Sequence, residues 1–153
     1  MALTFNTLSD NFKKIMNLSP SEVGEFIGGK VQVNIDGGFF KNCCAIRMSY
    51  AFNASGVEIP KSTYGATSSG RDGKWYLYRV DDMEKFVKAK IGGTPITGTT
   101  AKDFAGKKGV IFFSGCNWGD ATGHVDLFDG TKVMSDDGNY FGTCSTVKLY
   151  VMS

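Results

Sequence analysis

The segment Gly109-Val110-Ile111-Phe112-Phe113 is a continuous run of apolar residues rich in β-branched and aromatic side chains, which is typical of a buried β-strand. A second strand is predicted at His124-Val125-Asp126-Leu127-Phe128. The dipeptide Asp129-Gly130 is a strong hairpin signal and leads into Thr131-Lys132-Val133-Met134. Residues 146–152 alternate between apolar and polar side chains. The last third of the chain therefore predicts antiparallel strands.

Helix signals dominate the first two-thirds of the chain. Ser9 is a candidate cap for a short helix, and Ser19-Pro20-Ser21-Glu22 has the composition of a capping box with proline at the first helical position. Residues 31–35 alternate and predict an extended piece, whereas Asn42 is a candidate cap for a further helix and Asp81 opens another. We therefore predict one α+β domain, residues 1–153, with N-terminal helices packed on a C-terminal antiparallel sheet.

The composition excludes several classes of protein. The chain has 153 residues, 20 glycines and 3 prolines, so many tight turns are expected. Its net charge of +2 gives no strong attraction to nucleic acid or to a membrane surface. No run of 18 apolar residues is present, and the N-terminus lacks the pattern of a signal peptide. We expect neither nucleic acid nor a membrane as a partner.

Cys44 and His124 are the candidate catalytic pair. Cys44 is predicted in the first turn of a helix, where the positive end of the helix dipole stabilises a thiolate. His124 is the single histidine of the sequence and opens a predicted strand, so a general base active near neutral pH must be this imidazole or a shifted carboxylate. The alternative interpretations are a core cysteine and a structural histidine, and for Cys44 taken alone the core interpretation is favoured.

A catalytic histidine needs an acid to orient it. Asp126 lies on the same face of the strand as His124, but we expect it to point along the strand. Across a two-residue turn at Asp129-Gly130, position 124 pairs with position 135, which gives Asp137 the same parity as His124 and Asp136 the opposite parity. A longer turn or a bulge would reverse this choice, and a plain polar turn at 135–138 is the alternative.

The remaining cysteines admit two interpretations. Cys43 points to a different side of the helix from Cys44 and is predicted to be a small core residue. Cys116 and Cys144 flank the His124 segment and are plausible disulfide partners if their elements are neighbours. Two buried free thiols are the alternative, and a chain without a signal peptide favours it.

Two separated motifs and a third segment resemble one family. The sequence Asn42-Cys43-Cys44-Ala45-Ile46-Arg47-Met48-Ser49-Tyr50 is followed by Trp118-Gly119-Asp120-Ala121-Thr122-Gly123-His124-Val125-Asp126-Leu127-Phe128-Asp129-Gly130, and then by acidic residues before Tyr140-Phe141. In this order they resemble the type VI secretion amidase effectors, in particular their fourth class. The resemblance spans most of the chain. It implies a papain-like cysteine hydrolase fold, an antibacterial toxin, and hydrolysis of peptidoglycan stem peptides between D-glutamate and meso-diaminopimelate.

The resemblance also implies roles for single residues and partners. By position, Cys44 is the nucleophile, His124 is the base, and the orienting acid falls at Asp136 or Asp137. The partners implied are the peptidoglycan stem peptide, a cognate immunity protein and the type VI secretion machinery, and we expect no cofactor and no metal ion. The protein would be made in the cytoplasm without a signal peptide, secreted by the type VI system, and active in the periplasm of the target cell.

Two other functions compete with this one. A metal hydrolase built on His124 is disfavoured, because the sequence has one histidine and no metal-ligand spacing such as CxxC. A non-enzymatic cell-wall or partner-binding domain is the second alternative. In that case the cysteines would be structural, and the aromatic segment with Trp75, Tyr76 and Tyr78 would bind a sugar or a partner. Packing of these rings within the sheet is favoured over such binding.

Overall fold

A computed structural model describes residues 3–40, 42–116, 123–135 and 140–153 of the chain. The chain divides into two units, Met1–Met83 and Glu84–Ser153, and each is described by itself. The prediction of one domain over residues 1–153 stays a prediction. Among the described helices, none combines the length and the hydropathy needed to span a membrane.

The first two helices differ in how well their caps are predicted from sequence. Helix α1 spans Phe5–Phe12 and is capped by Thr4, whose side chain accepts the N–H of Thr7. Ser9 was therefore wrongly predicted as a cap: it lies inside α1 and donates to the carbonyl of Asn6. Helix α2 spans Pro20–Ile27 and is capped by the full capping box of Ser19 and Glu22, which confirms the prediction there.

The segment predicted as extended is a helix. Helix α3 spans Gly29–Asp36. Val31 and Ile35 are buried, whereas Val33 between them is 68% exposed. Residues four positions apart share one face of a helix, so this short apolar pattern fits a helix as well as a strand. Gly28, with φ of +70°, joins α2 to α3 in a conformation that suits glycine.

The helix that carries Cys44 is fixed to a small hairpin by buried polar side chains. Helix α4 spans Cys44–Ala54, and strands β1 (Thr67–Ser69) and β2 (Trp75–Leu77) pair antiparallel. The hydroxyl of Ser49 accepts the N–H of Leu77 at 2.9 Å and donates to the carbonyl of Ala45 at 2.8 Å. The amide of Asn53 donates to the carbonyl of Trp75 at 2.9 Å. These bonds set the position of α4 relative to β2.

The second unit is built on a four-stranded antiparallel sheet made of β3 (Ile96–Gly98), β4 (Lys108–Cys116), β5 (Gly123–Asp129) and β6 (Cys144–Val151). The order of the strands in the sheet is β3-β6-β4-β5. Helix α5 (Val80–Lys90) crosses the boundary between the two units, and a short helix α6 (Tyr140–Thr143) precedes the last strand. Continuous apolar runs occupy β4, a central strand, and β5, at one end of the strand order, and consecutive residues of both strands are buried. The predicted α+β class with a C-terminal antiparallel sheet is confirmed.

The predicted hairpin at Asp129-Gly130 does not form as expected. The segment after the turn makes a single bridge, in which Val133 pairs with Phe128, and β5 takes β4 as its partner instead. The carboxylate of Asp129 accepts the N–H groups of Thr131 and Lys132, and its own N–H donates to the carbonyl of Lys132. The side-chain bonds of Asp129 close a four-residue turn, which leaves too little chain for a strand before Ser135.

The neighbouring strands β4 and β6 are covalently linked at one end. A disulfide joins Cys116 and Cys144, which face each other in the β4–β6 register. The structure therefore contains the disulfide and not the two free thiols that were the alternative. Beside it packs a cluster of buried side chains made of Phe104, Ile111, Phe113, Phe128, Val133, Val147 and Leu149.

Candidate active site

Cys44 is the first residue of α4 and its thiol is free. Its side chain is buried, with 3% of the residue exposed. The N-cap residue of α4 is Cys43. The sequence-based prediction that Asn42 is the cap was therefore wrong. The side chain of Asn42 nevertheless serves the helix start, because its Oδ1 atom accepts the N–H of Cys44 at 3.1 Å.

The neighbouring thiol has a different chemical character. Burial raises the pKa of the Cys43 thiol, the guanidinium of Arg47 partly opposes this effect, and the adjacent Cys44 adds to it. Cys43 therefore stays protonated at neutral pH, and a protonated thiol is a poor nucleophile. This agrees with the prediction that Cys43 is a small core residue.

His124 lies near the start of β5, opposite Phe113 of β4, and is buried. Its Nε2 atom lies 2.7 Å from Oδ2 of Asp126. At this distance a protonated Nε2 donates to the carboxylate, and the bond fixes the tautomer and the plane of the ring. Asp126 lies on the same face of the strand as His124, as expected, and its side chain reaches along the strand to the imidazole, because alternate residues on one face are close enough for an imidazole and a carboxylate to meet.

The carboxylate of Asp126 is fully buried and well supplied with donors. Its Oδ1 atom accepts the N–H of Leu127 at 2.8 Å and the N–H of Ser135 at 3.3 Å. The hydroxyl of Ser135 donates to Oδ2, the same oxygen that meets His124. A buried carboxylate with this many donors is held in one orientation. The turn after β5 thus supports the acid that contacts His124.

An aromatic side chain covers the imidazole. The ring of Tyr140 stacks on that of His124, with centroids 4.0 Å apart and an angle of 5° between the planes. Phe113 lies on both rings at larger distances, 6.2 Å from His124 and 5.4 Å from Tyr140. The bond to Asp126 is made at a ring nitrogen, whereas Tyr140 lies against the face of the ring. Stacking therefore restricts tilting of the imidazole out of its plane.

The predicted site residues fall into three groups. His124 belongs to the second unit, where the structure brings it together with Asp126 and Ser135. Cys44 belongs to the first unit and is described within it. Asp136 and Asp137, the predicted orienting acids, lie outside the described residues, so their role stays a prediction. Within the described ranges, no group of three or more His, Cys, Asp and Glu side chains is placed to hold a metal ion.

Sequence reasoning missed the roles of Ser135 and Tyr140. Ser135 was treated as part of a polar turn, and its bond to Asp126 spans nine residues of sequence. Tyr140 begins α6, which precedes β6, and β6 pairs with β4. The pairing of β4 with both β5 and β6 was the missing information, because the pattern of one strand does not reveal its partners.

Comparisons with known proteins agree with this architecture. A family model for the type VI secretion system amidase effector protein 4, Tae4, matches residues 40–150. The Tae4 effector from Enterobacter cloacae superposes with a TM-score of 0.87 at 39% identity, covering 100% of this chain and 98% of that one. The effector in the Tae4–Tai4 effector–immunity complex from Enterobacter cloacae gives 0.89 and 38%, and its counterpart from Salmonella Typhimurium gives 0.89 and 37%, both with full coverage of the two chains.

The comparison with curated proteins gave no match. The chain has the same fold of helices and an antiparallel sheet as the matched structures. This agrees with the papain-like fold that the family resemblance implied. The family model covers well over half of the chain, and the matched structures are more than 30% identical over their whole length. The chain belongs to the Tae4 family of type VI secretion system amidase effectors.

Proposed function

We propose that the protein hydrolyses peptidoglycan stem peptides at the γ-D-glutamyl–meso-diaminopimelate bond, with Cys44 as nucleophile and His124 as general base. Membership of an amidase effector family supports the reaction class. The observation that carries the residue assignment is the buried bond between His124 and Asp126, because an imidazole held in one tautomer by a carboxylate is the arrangement that general-base catalysis needs.

The reaction proceeds by acyl transfer through the thiol. His124 takes the proton of Cys44, and the thiolate attacks the γ-carbonyl carbon of D-glutamate. The C–N bond breaks as His124 returns the proton to the leaving amine of diaminopimelate, which leaves a thioester on Cys44. Water, deprotonated by His124, attacks the thioester and releases the glutamyl carboxylate and the free thiol. Since Nε2 of His124 is bonded to Asp126, Nδ1 is the nitrogen that exchanges the proton.

The oxyanion of each tetrahedral intermediate needs backbone donors. The N–H of Cys44, at the start of α4, is the first candidate because it points out of the helix end. In the structure this N–H donates to Oδ1 of Asn42. In the free protein, Oδ1 of Asn42 therefore occupies the position that the oxyanion would take. When substrate binds, the oxyanion would replace this oxygen as the acceptor of the Cys44 N–H.

Asp126 is the acid for which the structure shows a contact with His124. We therefore propose Asp126 as a positioning residue, which orients the imidazole and stabilises the imidazolium. Asp136 and Asp137 remain the acids implied by the family resemblance. Because Nδ1 of His124 is needed for proton exchange with Cys44, an acid at position 136 or 137 would have to act at Nε2, in place of Asp126 or together with it.

The biological setting follows from the family. Effectors of this family are found in complexes with the immunity protein Tai4 in the matched structures. We propose that this chain is likewise secreted by a type VI system, acts on peptidoglycan in the periplasm of a target cell, and is neutralised in its producer by a cognate immunity protein. The disulfide between Cys116 and Cys144 suits the oxidising periplasm.

Release of stem-peptide fragments from purified peptidoglycan tests the proposal. We expect Cys44→Ala and His124→Ala each to lose at least about 10³-fold in rate, because the two groups act as a unit. Cys43→Ala is the matched control and should retain most of the activity. A chelator should leave the wild-type rate unchanged, whereas iodoacetamide should abolish it. Near-normal release by Cys44→Ala would refute the thiol mechanism.

A further inference from the structure

A pocket of about 460 Å³ opens on the first unit. We call it the lysine pocket and define it by Lys30, Lys61, Trp75 and Tyr78, which lie on its walls. It is formed by α3, the segment that leads to α4, and the β1–β2 hairpin. A volume of this size accommodates one or two amino-acid residues of a ligand.

Aromatic rings form the walls of the lysine pocket. Phe40 and Tyr78 stack on each other with centroids 4.3 Å apart. The ammonium of Lys61 lies over the Trp75 ring, 4.8 Å from its centroid, which is a cation–π contact. Phe39, 78% exposed, extends the apolar surface outward. The pocket therefore offers an apolar aromatic surface beside its cationic side chains.

The remaining lining supplies neutral hydrogen-bonding groups. The amide of Asn34 donates to the hydroxyl oxygen of Ser68 at 3.2 Å. A serine hydroxyl that accepts one bond retains its own hydrogen, which it can donate to a ligand. Thr67 and Ser69, the neighbours of Ser68 on β1, also line the pocket. The pocket therefore combines two cations with several rotatable donors.

The charged side chains that line the lysine pocket, Lys30 and Lys61, are both cationic. None of the described residues that line it is acidic. Lys30 and Lys61 are exposed, and neither takes part in any of the ion pairs found between described side chains. Two like charges without a carboxylate between them favour a negatively charged ligand over a neutral one.

The lysine pocket lies within reach of the proposed nucleophile. Phe40 on its wall precedes Cys44 by four positions. Four residues of fully extended chain span at most about 14 Å, which bounds the distance between the two Cα atoms. An extended peptide of about four residues is therefore long enough to connect Cys44 to the pocket.

We propose that the lysine pocket is a substrate subsite that binds a free carboxylate of the stem peptide, with Lys30 and Lys61 as its cations. This inference deepens the proposed function and rests on it. Stem peptides carry carboxylates close to the bond in question, on D-glutamate and on diaminopimelate. Binding one of them next to the aromatic walls would hold the peptide in register, and a ligand without carboxylates would bind poorly.

Equilibrium binding to the Cys44→Ala protein tests the subsite without requiring turnover. The probe is the tetrapeptide L-Ala-γ-D-Glu-meso-diaminopimelate-D-Ala, and calorimetry measures its binding. Tryptophan fluorescence, to which Trp75 in the pocket wall contributes, is a second readout. We expect Lys30→Gln and Lys61→Gln each to raise Kd about three- to tenfold, the range for a partly exposed charge-assisted bond. Kd should also rise with ionic strength. Lys13→Gln is the matched control, since Lys13 is exposed on the same unit and lies outside the pocket.

Two analogues identify the recognised group. The tetrapeptide with all its carboxylates amidated should bind the parent protein as weakly as the double variant Lys30→Gln/Lys61→Gln binds the free acid. The uncharged disaccharide of N-acetylglucosamine should show no dependence on the two lysines. Loss of affinity for the disaccharide in the lysine variants, or equal binding of the acid and its amide, would overturn the subsite in favour of a sugar site.

The failures of the two proposals are distinguishable. If the wild-type protein cleaves stem peptides and the lysine variants bind the tetrapeptide as the parent does, the subsite is wrong and the proposed function stands. If the wild-type protein cleaves nothing while the lysine variants still weaken tetrapeptide binding, the subsite stands and the proposed function is wrong.

Discussion

The side chains of His124 and Asp126 meet at 2.7 Å although the two residues lie only two positions apart on one strand. Both project from the same face of β5, and Ser135 holds the carboxylate from the turn that follows. The acid that contacts the imidazole therefore lies on the same strand as the histidine. No neighbouring strand has to supply the carboxylate. This arrangement makes the pair insensitive to the register between strands.

Replacing Asp126 by Asn tests its positioning role. We expect kcat to fall about 100-fold or more, because the amide can present the wrong group to Nε2 and the imidazolium loses its counter-charge. The alkaline limb of the pH–rate profile, which reports loss of the imidazolium proton, should move to lower pH, since a neighbouring carboxylate favours the protonated ring. Steady-state kinetics over pH 5–9 measure both effects.

Asp129→Asn is the matched control for Asp126→Asn. Asp129 is on the same strand, and its Oδ1 atom accepts two N–H bonds that an asparagine oxygen can keep. The control should retain its rate and its pH profile. Thermal melting of both variants separates a catalytic effect from unfolding. A folded Asp126→Asn protein with an unchanged profile would show that another carboxylate, such as Asp136 or Asp137, positions His124.

The two adjacent thiols should react at very different rates. Cys43 and Cys44 are equally buried, so access alone does not separate them. Burial raises the pKa of Cys43, and its alkylation should become appreciable only at alkaline pH, where the thiolate forms. Cys44 should react with iodoacetamide at neutral pH, and more slowly in His124→Ala.

Peptide mapping resolves this prediction about the thiols. Trypsin releases the segment 42–47, and fragment ions distinguish the two cysteines within it. Denatured protein serves as the reference, since both thiols should then react alike. Labelling of Cys43 at least as fast as Cys44 in the native protein at neutral pH would contradict the assignment of the nucleophile.

Ser49 is expected to contribute measurably to the stability of the first unit. In Ser49→Ala the buried N–H of Leu77 loses its acceptor, and an unsatisfied buried donor costs about 1–3 kcal/mol. Denaturant unfolding followed by circular dichroism measures the change. Ser21→Ala, on the exposed side of α2, should change stability by less than about 0.5 kcal/mol. Equal midpoints for the two variants would show that the bond to Leu77 contributes nothing.

The disulfide between Cys116 and Cys144 should stabilise the second unit. The two residues are 28 positions apart, and closing a loop of this length in the unfolded chain is worth about 3.5 kcal/mol. Reductant should therefore lower Tm by several degrees. The double variant Cys116→Ala/Cys144→Ala should already melt at the lower temperature and be unaffected by reductant.

A thiol count checks the disulfide independently. Under denaturing, non-reducing conditions we expect two reactive thiols, those of Cys43 and Cys44, and four after reduction. Four reactive thiols before reduction would contradict the disulfide.

Particular residues show how far sequence reasoning reaches in this protein. The capping box at Ser19 and the strands around Gly109 and His124 were predicted correctly because each depends on local chemistry. Helix α3 was missed because Val31, Val33 and Ile35 satisfy two periodicities over so short a stretch. Local pattern does not say which face the core will cover.

The candidate site divides in the same way. The motifs around Cys44 and His124 were visible in the sequence, since a thiol at a helix start and a histidine at a strand start are local features. The contact of Asp126 with His124 was undervalued, and those of Ser135 and Tyr140 were missed, because they depend on the turn after β5 and on the pairing of β4 with β6. Tertiary contacts of this kind leave no spacing signature.

The most direct measurement for the central claim is mass spectrometry of fragments released from purified peptidoglycan by the wild-type protein, with Cys44→Ala digested in parallel. The account predicts fragments that end in a free γ-carboxyl of D-glutamate, partner fragments that begin with meso-diaminopimelate, and neither class with Cys44→Ala. Cleavage at another bond, or the same fragments from the Cys44→Ala protein, would contradict it.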